Sequence, residues 1–521
     1  MPVPARTSVH ISHRFEKFSL SAMLRHTCKL SLPLIHSDPM KWGQAFRIRT
    51  SDSVCAVAFP DPHQKSRLVT KPPRSFHQRP APSPAPPPPG LNARLVAASV
   101  LADVAGQGST LDERLGADTS TRMSDLDLRD RALARSIATV ALRRLGTIRA
   151  ALARFLDKGL PKKAAAVEWT LITATAQILF LDVPDHAAVD LAVHAIRRDP
   201  RTAAFAALVN AVLRNVIRAR DELLAPADPF IDTPAWLAAR WRKTYGEEGA
   251  TAIVRAHQFE PTLDLTVKND SQLWAEKLDG FVLPMGSVRL LNHAPVAELP
   301  GYDEGAWWVQ DAAASLPARL LRAQPGMRIA DLCAAPGGKT AQLAHAGAEV
   351  TALDRSAERM KRVSANLERL HLSADLTVGD ALSYEAQAFD AILLDAPCSS
   401  TGTIRRHPDV AWTKRASDIA SLSKIQARMI DHAIDLLKPG GRLVYCTCSI
   451  EPEEGELQIN ALLRRNPDVV RVPVTAEELG VPNMCISAQG DLRTLPFHLY
   501  DEDARRSGLD GFFAARVERL I

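Results

Sequence analysis

Met327-Arg-Ile-Ala-Asp-Leu-Cys333-Ala-Ala-Pro-Gly-Gly-Lys-Thr340 carries an apolar run into a proline and two glycines, and from there into a helix-forming stretch. A short apolar run bounded by such punctuation reads as a buried strand. Adjacent glycines let the backbone turn sharply and lie close against a ligand at a helix N-terminus. Outward from this unit the same alternation repeats. Apolar runs at Met327 to Leu332, Glu349 to Leu353, Leu376 to Val378, Ala391 to Leu394, Arg442 to Cys446 and Phe512 to Val517 are separated by helical stretches. Residues 301–521 are therefore expected to form a doubly wound α/β domain with a mostly parallel sheet.

In such sheets ligands settle beyond the carboxyl ends of the strands, near the point where strand order reverses. A phosphate-binding P-loop would need glycine five positions before the Gly338-Lys339-Thr340 triplet, where Cys333 stands, and the dinucleotide pattern G-x-G-x-x-G is also absent. A tight turn without a ligand is the plain alternative. Against it, Asp354 closes the second strand, where a carboxylate accepts both hydroxyls of a ribose. Asp380, in Gly379-Asp380-Ala381, follows the third strand, where an adenine edge would lie. Acidic strand ends often only cap helices, but in register beside a glycine loop they point to a nucleoside-bearing cofactor.

The 521 residues exceed one compact core and suggest about three domains. Hydrophobic content of 46% and 24% charged residues is ordinary for a soluble globular chain, and a net charge of +5 permits a polyanionic partner without requiring one. Seven scattered cysteines are no disulfide framework, so a reducing compartment, the cytoplasm, is expected. The most apolar stretch, Ala164 to Leu181, contains Glu168 and Gln177 and reads as a core helix rather than a membrane span.

Residues 1–89 read as a disordered extension. Its first 50 residues hold eight Lys or Arg against Glu16 and Asp38, and half of Pro72 to Pro89 is proline, which cannot bury a core. Residues 90–225, with Leu91-Asn-Ala-Arg-Leu-Val-Ala-Ala-Ser-Val-Leu and Ala206-Ala-Leu-Val-Asn-Ala-Val-Leu-Arg-Asn, have helical periodicity throughout. Arg129, Arg131, Arg135, Arg143, Arg144, Arg149, Arg197, Arg198, Arg201, Arg214, Arg218 and Arg220 are placed on its surface, as solvated faces or as an RNA-binding one. Residues 226–300 form a small connecting subdomain, with an amphipathic helix at Pro234 to Trp241 and strand-like runs at Leu263 to Val267 and Ser287 to Leu291.

Cys333-Ala-Ala-Pro-Gly-Gly-Lys-Thr340, Asp395-Ala-Pro-Cys-Ser399 and Thr447-Cys-Ser449 together resemble the RNA 5-methylcytosine methyltransferase family. The helical stretch through Leu208-Val-Asn-Ala-Val-Leu-Arg-Asn215 resembles the NusB-like RNA-binding domain. The likeness covers residues 90–521 and fits the bacterial branch acting on 16S ribosomal RNA. It implies a Rossmann-like, S-adenosylmethionine-dependent domain behind an all-helical one. It also implies cofactor contacts at Cys333, Ala334, Ala335, Pro336, Gly337, Gly338, Lys339, Asp354, Asp380 and Asp395.

Carbon 5 of cytosine is a poor nucleophile, and adding a thiolate at carbon 6 makes it a better one. A carboxyl group at ring nitrogen 3 helps to stabilise the adduct. Asp395 and Cys398 follow the fourth strand, and Cys446 and Cys448 end the fifth. Isolated cysteines at strand ends are commonly inert, and alternation puts Cys446 and Cys448 on one face, so periodicity does not choose between them. The resemblance does: it makes Cys448 the nucleophile, Cys398 the group aiding adduct release and Cys446 a packing residue. DNA cytosine methyltransferases use a Pro-Cys cysteine instead, so Pro397-Cys398 alone would mislead. Asp395 is assigned to nitrogen 3, and no base for the carbon 5 proton is identified.

Arg405 and Arg406, in Thr401-Gly-Thr-Ile-Arg-Arg-His-Pro408, are expected to meet RNA phosphates, with Trp412 stacking on a base. Asn366 and His371 carry no legible role. The expected partner is RNA, from the small ribosomal subunit, with no metal and no membrane, and the protein is expected to be a monomer. The competing readings are the same chemistry on transfer RNA or another ribosomal site, and a non-catalytic RNA-binding or antitermination factor.

Overall fold

The computed structural model describes residues 87–116, 121–156, 159, 165–225 and 228–521. The extension at residues 1–89 falls outside these but for its last three positions. Among the described residues between 91 and 225 there are helices and no strand, as the periodicity predicts. The helix Ala165–Phe180 is the axis of this bundle, with every residue from Trp169 to Leu179 buried. Some of its polar groups find partners within the helix, Thr173 donating to the Thr170 carbonyl and Gln177 to that of Thr173, whereas Thr175 Oγ1 and Gln177 Oε1 are buried without one. The helix Ala206–Arg218 buries Val209, Val212, Leu213 and Val216 on one face and leaves Arg214 and Arg218 exposed on the other.

A small antiparallel sheet follows, built from β1 (Leu263–Val267), β2 (Phe281–Val282), β3 (Val288–Leu290) and β4 (Trp307–Val309) in the order β2-β3-β1-β4. It runs past the boundary expected at residue 300, because Trp307 and Trp308 point to opposite faces of β4. Trp307 packs into the small sheet's own core with Leu265 and Val288, while Trp308 packs against Val363 and Leu367 of the next domain.

The large sheet contains β5 (Arg328–Leu332), β6 (Glu349–Asp354), β7 (Asp375–Val378), β8 (Phe389–Asp395), β9 (Leu437–Thr447), β10 (Val469–Arg471), β11 (Leu492–Thr494) and β12 (Phe512–Arg519). Its order is β10-β12-β9-β8-β5-β6-β7, with β11 also on β12. Strands β5 to β9 are parallel and β12 is antiparallel to β9. All six expected strands are present. The short β10 and β11 were not expected, since each carries an arginine, Arg471 or Arg493, in a three-residue run. No described helix is long and apolar enough to cross a membrane.

Candidate active site

Strand order reverses between β5 and β8, so the loops leaving their carboxyl ends face one another. The loop after β5 turns at Gly337, whose φ of 100° suits glycine and where a Cβ would come 3.0 Å from Val363 Cγ1. Asp331 fixes the start of the helix Gly338–His345 by accepting from Thr340 Oγ1 at 2.6 Å. Its other oxygen, Oδ1, is buried without a partner, and burial pushes its pKa up to about 7. Asp354 accepts from the Ala335 N–H at 3.2 Å and the Ser356 N–H at 2.9 Å, so it braces the glycine loop as well as bordering the cavity beside it. Asp380 accepts from the Leu382 N–H at 3.0 Å.

Of these, Asp354 and Asp380 line a cavity of about 570 Å³, with Cys333, Ala335, Pro336, Asp395, Cys398 and Cys448 also on its walls. A second cavity of about 560 Å³ lies towards the small sheet. It shares Cys333, Pro336, Asp395 and Cys448 with the first, and adds Ala334, Gly338 and Lys339. All of the predicted cofactor contacts except Gly337 line one or other of these cavities, and Asp395 and Cys448 border both.

Lys339 Nζ reaches Asp395 Oδ2 at 2.7 Å. Burial opposes its charge, but Asp395, with Cys446 and Asp331, outweighs it and raises the ammonium above its ordinary value. Cys398 and Cys448 converge, Sγ to Sγ 3.5 Å, with Ser400 Oγ 3.5 Å from the Cys448 sulfur. Cys446 is wholly buried and its thiol is pushed well above the usual range by that burial, whereas Cys448 is half-buried and borders both cavities. Depth thus separates two cysteines that strand alternation leaves equivalent. Cys333 is also held as a thiol, burial raising it to about 12.

A carboxylate absent from the sequence reading organises both cysteine loops. Glu454, fully buried, accepts from the Ser399 N–H at 2.9 Å, from Ser399 Oγ, and from Gln426 Nε2 at 3.1 Å. Ser399 Oγ in turn lies 3.2 Å from Ser449 Oγ, and the Glu454 carbonyl accepts from Tyr445 at 2.8 Å and Thr447 at 3.1 Å. The neighbours of Cys398 and Cys448 are therefore tied to one side chain. Its signal was hidden in the acidic run Glu451-Pro-Glu-Glu-Gly-Glu456, whose composition reads as solvated surface.

The phosphate contacts expected of Arg405 and Arg406 do not match their placement. Arg405 is 4% exposed, donating to the Ser507 carbonyl at 3.0 Å with Asp510 at 4.0 Å, and its own carbonyl accepts from Arg143 at 2.6 Å. Arg406 borders the second cavity, but Asp311 at 2.6 Å and Asp510 at 3.1 Å occupy its guanidinium. The Trp412 indole donates to the Leu142 carbonyl at 2.9 Å and packs against the helical bundle rather than offering a free face to a base. Asp409 accepts from the Leu111 N–H at 3.1 Å. This loop is a strut between the bundle and the reactive centre, since carboxylates and carbonyls distant in sequence claim its polar groups. Arg143, expected on the surface, is buried in the same seam.

The large sheet defines the class, a Rossmann-like methyltransferase domain, and the bundle ahead of it matches the NusB family model over residues 91–218. The chain belongs to the RsmB/F family: the model described as 16S rRNA methyltransferase RsmB/F matches residues 318–518. Ribosomal RNA small subunit methyltransferase B of Pasteurella multocida is 35% identical over 457 residues, 83% of this chain and 97% of that protein. The protein of the same name from Xylella fastidiosa strain Temecula1 is 38% identical over 451 residues, 83% of this chain and 99% of the relative. The crystal structure of PH0851, at 22% identity, has a TM-score of 0.64 over 83% of this chain and 99% of that one, which shows the shared fold.

Proposed function

We propose that this protein transfers the methyl group of S-adenosylmethionine to carbon 5 of a cytosine in small-subunit ribosomal RNA. The residues present suit that cofactor. Asp331 Oδ1, buried and unpartnered beside the glycine loop, matches an ammonium group, and the Asp354 and Asp380 carboxylates border the cavity where ribose hydroxyls and an adenine edge would lie. Bound there, it supplies an electrophilic methyl group.

The chain's own groups do the rest. The target base is unstacked into the cleft, because its face is unreachable within a stacked helix. Cys448 adds its sulfur to carbon 6, which builds electron density at carbon 5, while its thiol proton goes to nitrogen 3, where Asp395, held by Lys339, accepts from the resulting N–H. After methylation the carbon 5 proton is lost to a base, the carbon–sulfur bond breaks with the help of Cys398, and the Cys448 thiol is regenerated as nitrogen 3 gives its proton back. The observation that carries this reading is the approach to 3.5 Å of two thiols, one of which borders both cavities. The test is incubation with methyl-labelled S-adenosylmethionine and unmodified small-subunit RNA, followed by mapping. Label at cytosine carbon 5 is expected; label elsewhere on the base, or only in transfer RNA, overturns the assignment.

A further inference from the structure

The second cavity extends well beyond the two thiols, out along the edge of the small sheet. RNA is a polymer, so a base that reaches Cys448 brings its neighbours with it. They cannot leave through the inner parts of the two cavities, which the predicted cofactor contacts line. The outer wall of the second cavity is formed by the exposed edge residue Val309 with Val296 and Tyr302, and by Arg362, Asn366 and Arg369 of the helix Ala357–Arg369. Val309 is 47% exposed, an apolar side chain presented to solvent beside the reactive centre.

The cations on this path differ in availability. Lys339 is held by Asp395, and Arg406 by Asp311 and Asp510. Arg369 spends its guanidinium on the Tyr302 and Trp307 carbonyls and on Asn366. Arg362, one turn before Asn366, is exposed and has no carboxylate at ion-pair distance among the described residues; its neighbour Glu358 pairs with Lys361 at 2.9 Å instead. Arg362 is left with only the longer-range attraction of Glu358, and it shares a cavity wall with the apolar Val309, a pairing that matches a nucleotide with a charged phosphate and a base face.

We infer that the outer part of this cavity, beyond Asp331, Ala334, Gly338 and Lys339, is a subsite for the ribonucleotide adjoining the target cytosine, with Arg362 taking its phosphate and Val309 receiving its base. The inference rests on the RNA reading above. It implies that the strand on that side is unpaired, since a stacked, paired base cannot lie against the Val309 wall.

The test uses the full chain and a short unmodified fragment of small-subunit RNA, in wild type, Arg362→Ala, Arg362→Glu and Val309→Asp. Arg362→Ala should raise the KM for RNA roughly ten-fold, and Arg362→Glu further, with the slope of log affinity against log salt reduced by about one phosphate contact. The affinity for S-adenosylmethionine should stay at the wild-type value, which also reports that the variants are folded. An abasic nucleotide beside the target should weaken wild-type binding about ten-fold but add little to the defect of Val309→Asp. An unchanged RNA affinity and salt slope in Arg362→Ala, or a loss of cofactor affinity in its place, overturns the subsite. RNA affinity read by anisotropy decides the matter even without turnover. A wild-type protein that binds the fragment without methylating it overturns the proposed function instead.

Discussion

The sulfur of Cys398 lies 3.5 Å from that of Cys448, yet only Cys448 borders both cavities. The hydrogen bond shared with Cys448, then burial, hold the Cys398 thiol well above its ordinary pKa, and the nearby Glu454 carboxylate acts in the same direction. Cys398 is thereby kept as a thiol able to give up a proton during adduct release. Cys448→Ala should lower methyl transfer by about a thousand-fold or more. Cys398→Ala should still form the adduct but release it slowly, giving a retarded protein-RNA band on a denaturing gel. Activity surviving in Cys448→Ala would reassign the nucleophile.

Glu454 predicts a second phenotype. Glu454→Ala removes the acceptor of the Ser399 N–H and the Ser399 hydroxyl in a buried site and leaves Gln426 only the Pro397 carbonyl, which should destabilise the fold by about 3 kcal/mol. Because these groups flank both cysteines, adduct formation should fall further than cofactor affinity does. Thermal melts, single-turnover adduct formation and a cofactor titration separate the two effects. Equal losses in all three would reduce Glu454 to a general structural role.

How far the sequence reaches is visible in individual elements. The run Ala391 to Leu394 is legible as a strand because its burial on both faces writes a continuous apolar signal, and it lies within β8. Arg405 and Arg406 mislead because their partners, Arg143, Asp311 and Asp510, lie 262, 95 and 104 residues away. No local pattern records such pairings. The choice between Cys446 and Cys448 is invisible for another reason: period 2 fixes a face but not a depth. The glycine loop is the opposite case, since its backbone conformation demands the residue types that announce it.

The Arg143 seam gives a third prediction. Its guanidinium donates to the carbonyls of His257 at 3.3 Å, Phe259 at 3.2 Å and Arg405 at 2.6 Å, joining the helical bundle to the strut that ends at Cys448. Gly402 completes the path, donating to the Cys448 carbonyl at 3.0 Å. Arg143→Met keeps the aliphatic stem and removes the donors, leaving buried carbonyls unpaired, and should cost about 3 kcal/mol. Protease cleavage within residues 400–413 should also become faster. Wild-type resistance in that segment would show that the strut holds without the bundle.

His257 completes the same seam and makes it sensitive to acid. Burial, then the facing charges of Arg143 and Arg405, lower its pKa to about 3. Its Nε2 is buried without a partner, and its ring meets Trp241 edge-on at 5.4 Å between centroids. The folded protein therefore keeps this imidazole neutral, whereas the unfolded chain takes up a proton near its ordinary pKa of about 6.5. Stability tied to His257 is complete above that value and drains away as pH falls from there towards 3. Going from about pH 7.5 to about pH 5.5, the wild type should lose about 1.4 kcal/mol more than His257→Gln, which has nothing to protonate. Denaturant unfolding of both proteins at the two pH values measures this difference directly. A parallel fall in both would mean that the imidazole accepts a proton in the folded state, and hence that the seam opens to water without unfolding.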